Sequence, residues 1–428
     1  SAAAVPDAPR LIAGTEAPQA GAFSPFSLRL VREDGSQEFS SFDVLLPPGL
    51  TAKLAGIPDC SDAAITAASG KSGAEEQASP SCPAASEVGT VDVAAGTGPT
   101  PIHVPGHAYL AGPYKGAPLS LAFVTPVLAG PLDLGTTVVR AAIYLDPETV
   151  QNHVVSDSLP TILQGIPLDI RSITVRLNRR QFTLNPTSCE EFGIAGSATS
   201  VLGAIAPLFE RFQVGDCGAL HFKPKLSLTL SGGVHRNGHP RLRAVVTPTP
   251  GGANLSSTQV TLPPTELVDN AHLRDICTKP QFEANECPPS SVYGRARADT
   301  PLLSEPLIGP VFLQPSTHRV PDLVAALHSG AFSINVHLHA RQDSIHQSIR
   351  TTFENIPDVP LSRFILNIDG GKKGLLVNSK DLCAERHRFD VRMLGQNGKV
   401  YATQPFLKVA CGRQRAGKRA EGLARAAK

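Results

Sequence analysis

Cys60, Cys82, Cys189, Cys217, Cys277, Cys287, Cys383 and Cys411 are the residues of this 428-residue chain best placed for covalent chemistry. Zinc would need thiolates in closely spaced pairs, and no C-x2-C or similar spacing occurs. An even number of cysteines without metal spacing predicts disulfides, and with them an oxidising compartment. Two intervals agree: Cys189 to Cys217 and Cys383 to Cys411 are both 28 positions apart. Each pair opens in a similar context, "LNPTSCEEF" (184–192) and "LVNSKDLCAERHRF" (376–389), with an asparagine a few residues before the cysteine.

The other candidates for chemistry are weaker. His337 and His339 alternate with an apolar face, so both imidazoles point outward from one strand, about 7 Å apart. His235 and His239 fall in a turn-like stretch. His337 and His339 could share a metal only if a third ligand joined them, and solvated histidines on a sheet face are the ordinary case, so no metal and no cofactor is assigned. Glu190 and Glu191 are adjacent and do not by themselves make a pair flanking a glycosidic bond. Asp169 and Asp358 sit beside Ile-Pro in the two halves of the chain, and a residue kept in both copies of a repeat serves the fold. The chain has no G-x-S-x-G elbow, H-E-x-x-H or phosphate loop. No catalytic residue is assigned, and the protein is not expected to be an enzyme. Asn254-Leu-Ser is a glycosylation sequon.

The elements that position these residues form an internal repeat. "FDVLLPPGL" (42–50) answers "TQVTLPPTEL" (258–267). "GHAYLAGPY" (106–114) answers "GPVFLQPST" (309–317), and "LQGIPLDIRSITVRLN" (163–178) answers "FENIPDVPLSRFILNI" (353–368). Cys60 and Cys277 hold equivalent places. Order, proline pairs and cysteines agree, which defines two units. The organisation expected is a leader at 1–23, unit one at 24–219, unit two at 220–411 and a basic tail at 412–428. Units that fold alike should bond alike, so the cysteines pair in sequence: Cys60–Cys82, Cys189–Cys217, Cys277–Cys287 and Cys383–Cys411. The 21 residues between Cys60 and Cys82 read as a small, polar surface loop of variable length.

Period-two alternation dominates, as in "VVRAAIYLD" (138–146) and "FSINVHLHAR" (332–341). With 38 Pro and 37 Gly the chain turns often and has little room for long helices. "SGGVHRNGHP" (231–240) and "NIDGGKKG" (367–374) read as hairpin turns. The fold class expected is all-β: two tandem disulfide-tied β-sandwiches, Ig-like in layout. "ATSVLGAIAPLFERF" (198–212) has helical propensity, but the repeat argues for strands there. No run of about 18 apolar residues exists, so no transmembrane segment is expected. The net charge is +2, and only the tail, with six basic residues and one acidic residue, is strongly basic, which gives no case for a nucleic-acid partner. "SAAAVPDAPR" without an initiator methionine reads as the start of a processed, exported protein.

"LPPGLTAKLAGIPDC", "YLAGPYKGAPLSLAFVTP", "LPTILQGIPLDIRSITVRLNRRQFTLNPTSC" and "FQVGDC" resemble segments of exported, repeat-containing actinobacterial surface proteins. The resemblance covers most of unit one; unit two keeps the skeleton. It implies an extracytoplasmic location and a modular architecture, and brings no catalytic residues. The reading that follows is a secreted structural subunit of a cell-surface fibre or layer, with copies of itself as partners in a head-to-tail polymer. The alternative is an adhesin or a module for cell-wall glycan, and a secreted hydrolase ranks behind both. In the polymer reading, Val5, Leu11 and Ile12 of the leader supply contacts to a neighbouring subunit's sheet edge. Non-reducing peptide mapping should recover Cys189 linked to Cys217 and Cys383 linked to Cys411. A bond between the units, or free thiols at these positions, would sink the duplicated-unit account.

Overall fold

A computed structural model describes residues 8–273 and 275–411. The boundary between its two compact units falls between Ala219 and Leu220, with 302–304 and 331–334 counted with the first. Among the described residues, no helix is long and apolar enough to cross a membrane. Val5 and the basic tail lie outside the described residues.

The main sheet of unit one has eleven strands. They are β1 (Arg10–Thr15), β2 (Phe26–Val31), β3 (Phe39–Leu45), β4 (Glu87–Ala95), β5 (Ile102–Ala111), β6 (Leu119–Ala129), β7 (Leu132–Leu145), β8 (Asn152–Ser156), β9 (Ile170–Leu177), β10 (Phe192–Ser200) and β11 (Ile205–Phe212). The sheet order is β1-β2-β9-β4-β5-β6-β7-β8-β3-β10-β11. The sheet curls over, so that β1 and β11 at its two ends lie against each other. Phe42 of β3, Val91 of β4, Phe123 of β6 and Ile173 of β9 then line one apolar cavity of about 70 Å³. The layers of the sandwich are thus one continuous sheet.

Unit two repeats this arrangement. Its strands are β12 (Lys225–Ser231), β13 (Arg241–Thr247), β14 (Leu255–Thr261), β15 (Val292–Asp299), β16 (Leu307–Gln314), β17 (Asp322–Ser329), β18 (Ile334–Ile345), β19 (Ser348–Phe353), β20 (Arg363–Ile368), β21 (Asp390–Gly395), β22 (Val400–Thr403) and β23 (Lys408–Val409). Their order is β12-β13-β20-β15-β16-β17-β18-β19-β14-β21-β22, the same as in unit one, with β23 added in parallel beside β12. Alternation does the packing: Leu226, Leu228 and Leu230 of β12 are buried while the residues between them are not. The 198–212 segment forms β10 and β11, paired in register from Phe192–Phe212 to Thr199–Ile205.

Four sequence expectations change. The described part of the leader, residues 8–23, is not a separate segment: β1 pairs with β2 from Arg10–Val31 to Thr15–Phe26, and its counterpart in unit two is β12. Leu11 is buried within its own unit opposite Leu30, which removes it from any intersubunit contact, while Ile12 is half exposed. The stretch between Cys60 and Cys82 is helical, with α1 (Asp62–Ser69) capped by Ser61 and α2 (Gly73–Ala78) opened by a Ser72/Glu75 capping box. Ile65 and Ala68 of α1 pack on Tyr109, Ala122 and Val124. In unit two the single short α3 (Lys279–Glu283) brings Phe282 to the equivalent face, against Cys277 and Val324. In β7 the expected Val139/Ala141 alternation gives way to continuous burial from Arg140 to Ala142, because α1 covers its outer face. Arg140 lies there between Asp62, at 2.8 Å, and the Tyr114 ring. Finally, "NIDGGKKG" is no hairpin: it leads from β20 to the short strand Leu376–Asn378, which pairs with Glu266–Val268.

The four bridges join Cys60 to Cys82, Cys189 to Cys217, Cys277 to Cys287 and Cys383 to Cys411. The asparagine ahead of each 28-residue interval has a definite task. Asn185 is buried and its Nδ2 donates to Ala17 O at 2.8 Å and Gln19 O at 2.9 Å, while its backbone N–H donates to Ala22 O. Asn378 is buried, donates from Nδ2 to Gly233 O at 2.7 Å and His235 O at 3.1 Å, and from its backbone to Gly238 O. All three acceptors in unit two stand 216 positions after those in unit one. Each asparagine therefore clamps the connection between the first two strands of its unit, where folding leaves carbonyls without ladder partners. Leucine at either site keeps the volume and loses both donors. At roughly 1–3 kcal/mol for each buried group left unpaired, Asn185→Leu and Asn378→Leu should each cost about 2–6 kcal/mol. Hydrogen exchange should show the loss of protection confined to unit one for the first and to unit two for the second.

Candidate metal centre

The connection that Asn378 clamps delivers His239 one residue beyond Gly238, just before β13. The short strand Glu266–Val268 delivers Asp269, and a 3-10 turn at Asn270–His272 follows. Asp269 caps that turn by accepting from Ala271 N–H through Oδ1 at 2.9 Å. Its other oxygen, Oδ2, lies 2.7 Å from His239 Nε2 and 3.7 Å from His272 Nδ1. The two imidazole rings are 4.6 Å apart and tilted by 37°. One ligand atom from each residue falls within 4.8 Å of the others, and the three side chains are each 23 % exposed. His272 Nδ1 is also 2.8 Å from Gly374 O. The His239 hydrogen bond, aided by that from Ala271 and by both imidazoles, holds the Asp269 carboxyl below its ordinary range against partial burial. Two imidazoles and a carboxylate form a donor set suited to zinc-like cations.

In the sequence His239 stands beside His235, whereas its partners in the cluster lie 30 and 33 positions away. The local signal was Asp269 and His272 at a spacing of three, the reach of one helical turn. His337 and His339 do share the outer face of β18, but Phe282 of α3 sits edge-on to both, with ring centroids 4.8 and 6.3 Å away. They are thus packed against an aromatic ring, and are not simply solvated.

The remaining candidates are structural or superficial. Glu190 and Glu191 are both exposed, and Glu191 pairs with Arg211 at 2.6 Å. Asp169 pairs with the buried Arg32, whose Nε also donates to Ile170 O at 2.6 Å. Asp358 accepts from Asn254 Nδ2 at 2.8 Å, and both residues are buried. The sequon nitrogen is thus engaged in the interior of the folded unit.

One buried acid stands out beside the cluster. Glu266 faces Asn378 across the short ladder, and both are fully buried. Glu266 Oε2 accepts from Thr265 Oγ1 at 2.8 Å, while Glu266 Oε1 and Asn378 Oδ1 have no hydrogen-bond partner. Leu50 occupies the corresponding position in unit one, three residues after the first proline of its Pro-Pro pair, as Glu266 is. Burial pushes the Glu266 carboxyl up to about 7. A neutral carboxylic acid has a hydrogen to donate, which an ionised one lacks.

No protein-family model and no curated protein matches the chain. Among solved structures, the chain aligns with the collagen adhesin from S. aureus at 9 % identity and a TM-score of 0.20, over 94 % of this chain and 92 % of that one. It aligns with a putative membrane anchored protein from Corynebacterium diphtheriae at 7 % identity and a TM-score of 0.22, over 95 % of each chain. Overlap at these TM-scores carries no argument about this chain.

The raised Glu266 value makes unit two sensitive to pH. The unfolded carboxyl ionises near 4.5 and the folded one near 7, so the folded state binds the proton more tightly. The stability this contributes is complete below about pH 4.5 and is lost as pH rises through about 7. At about 1.4 kcal/mol per unit, the loss amounts to about 3 kcal/mol. Denaturant titrations from pH 5 to pH 8 should show this decline in the wild type and a flat profile over the same window in Glu266→Gln.

Proposed function

We propose that this chain is a structural component of a cell surface, exported and assembled with copies of itself. The four disulfide bridges support an oxidising, extracytoplasmic setting. The duplicated body, one sheet order used twice, supports a modular building block, in line with the resemblance to exported actinobacterial repeat proteins. The observation that carries assembly is the β10–β11 hairpin. Its tip and outer face expose Leu202 at 77 %, Ile205 at 71 % and Phe209 at 69 %, with Val201 beside them. Monomeric proteins seldom expose large apolar side chains in one cluster, and such a cluster marks a contact surface.

The matching hairpin of unit two, β21–β22, turns at Asn397-Gly398 and exposes one large apolar residue, Val400. The patch is therefore particular to one unit. A contact between it and a different surface of the next copy propagates and does not close on itself. The coupling element in this reading is the hairpin, in place of the leader residues Leu11 and Ile12.

Sedimentation of the full chain against concentration tests the reading. The wild type should form species larger than the monomer, and Ile205→Asp with Phe209→Asp should leave a folded monomer. A wild type that stays monomeric at every concentration, or a double variant that associates equally well, overturns it.

A further inference from the structure

We propose that His239, Asp269 and His272 bind a divalent transition cation of the zinc class. Two segments distant in sequence, at 239 and at 269–272, converge there, and the Asp269 and His272 side chains are held by contacts outside the ligand set. Ala271 N–H fixes the Asp269 carboxylate, which leaves Oδ2 turned toward both imidazoles. Gly374 O fixes the His272 ring. A carbonyl only accepts, so Nδ1 carries the hydrogen in that contact; Nδ1 is also the atom 3.7 Å from Asp269 Oδ2, so loading moves that hydrogen to Nε2 of the same ring and gives the cation the Nδ1 lone pair. Between His239 Nε2 and Asp269 Oδ2, 2.7 Å apart, a hydrogen holds the position that the cation takes on loading. That hydrogen shifts to Nδ1 of the same ring, so the imidazole stays neutral.

The duplication supplies an independent argument. At the offset of 216 that relates the clamped connections and the Pro-Pro pairs, unit one has Phe23, Lys53 and Gly56 in place of the three ligands. The fold forms in unit one without them, so the cluster in unit two is not a requirement of the architecture. Two imidazoles disfavour calcium and magnesium, which take oxygen donors, and favour zinc, cobalt, nickel or copper. Three protein ligands leave at least one coordination position open, and the partial exposure of all three side chains lets an ion and water reach it.

The test uses the full, disulfide-intact chain after chelator treatment, with cobalt(II) as the probe followed by its visible absorption and zinc(II) followed by calorimetry. One ion per chain is expected for both metals, with zinc displacing cobalt. His239→Gln and His272→Gln should each abolish cobalt binding while circular dichroism stays native, and His337→Ala with His339→Ala should leave it unchanged. Asp269→Asn should weaken it. The proposal is overturned if the wild type takes up neither metal stoichiometrically, or if a natively folded His239→Gln or His272→Gln variant binds as the wild type does. Loss of binding in the His337/His339 variant alone would move the site to β18 and overturn it equally.

Discussion

A side-chain amide with two hydrogens, placed where two backbone carbonyls have no partner, holds each half of this protein together. The first two strands of each unit are joined by a connection too long for a tight turn, and two of its carbonyls face the asparagine side chain. They have no ladder partners, and the buried side-chain amide beside them supplies the donors. Asn185 and Asn378 reach two carbonyls each and add a third bond from their own backbone. The bridge that follows completes the arrangement. In unit one, Gly215 exchanges backbone bonds with Pro18 and Ala20 on the same connection, and Cys189–Cys217 ties that second holder to the first. In unit two, Leu382 donates to Val234 O, β23 runs beside β12, and Cys383–Cys411 ties the two. Asparagine and cysteine recur together because they close one ring around one hairpin.

What both copies keep is this ring and the sheet order. What they vary is what covers the sheet and what fills its joints. The outer face near the first bridge is covered in unit one by α1 and α2, through Ile65 and Ala68, and in unit two by the one ring of Phe282. Both solutions bury apolar area on the same strands, and each bridge ties the base of its excursion, so the excursion can change length without disturbing the ladder. Leu50 and Glu266 show the same freedom at a buried joint, where one copy gained a carboxyl that is neutral at mildly acid pH.

Much of this was legible in the sequence, and the exceptions have physical reasons. Strand identity, the repeat and the local order of the cysteines follow from alternation, proline pairs and matched intervals, all of which are short-range. The leader misled because an Ala/Pro-rich segment with few large residues cannot form a core of its own. It does not need one: Leu11 meets Leu30, and β2 supplies the rest of the contact. The helices after Cys60 misled because Ile65 is the one large apolar side chain that they bury. Their caps were readable, since "SGAE" at 72–75 is a capping box written in the sequence. The His239, Asp269 and His272 cluster was hidden for a different reason, because two strands and a turn must form before its members meet.

That cluster also depends on the clamp. A histidine on a connection between strands would ordinarily sample many positions, and a metal ligand needs one. Asn378 fixes the backbone at Gly233, His235 and Gly238, so His239 leaves from an anchored peptide. The short ladder on which Asn378 lies, Leu376–Asn378 with Glu266–Val268, leads directly into Asp269, whose N–H donates to Leu375 O. Two of the three ligands are thus tethered to the same few residues that satisfy the connection, and Gly374, which steadies His272, lies four residues before Asn378. The rigidity that the fold required for its own polar groups is the rigidity a ligand set requires. Unit one has the same rigid frame with Phe23, Lys53 and Gly56 on it, so the frame alone makes no site: donor atoms on it do.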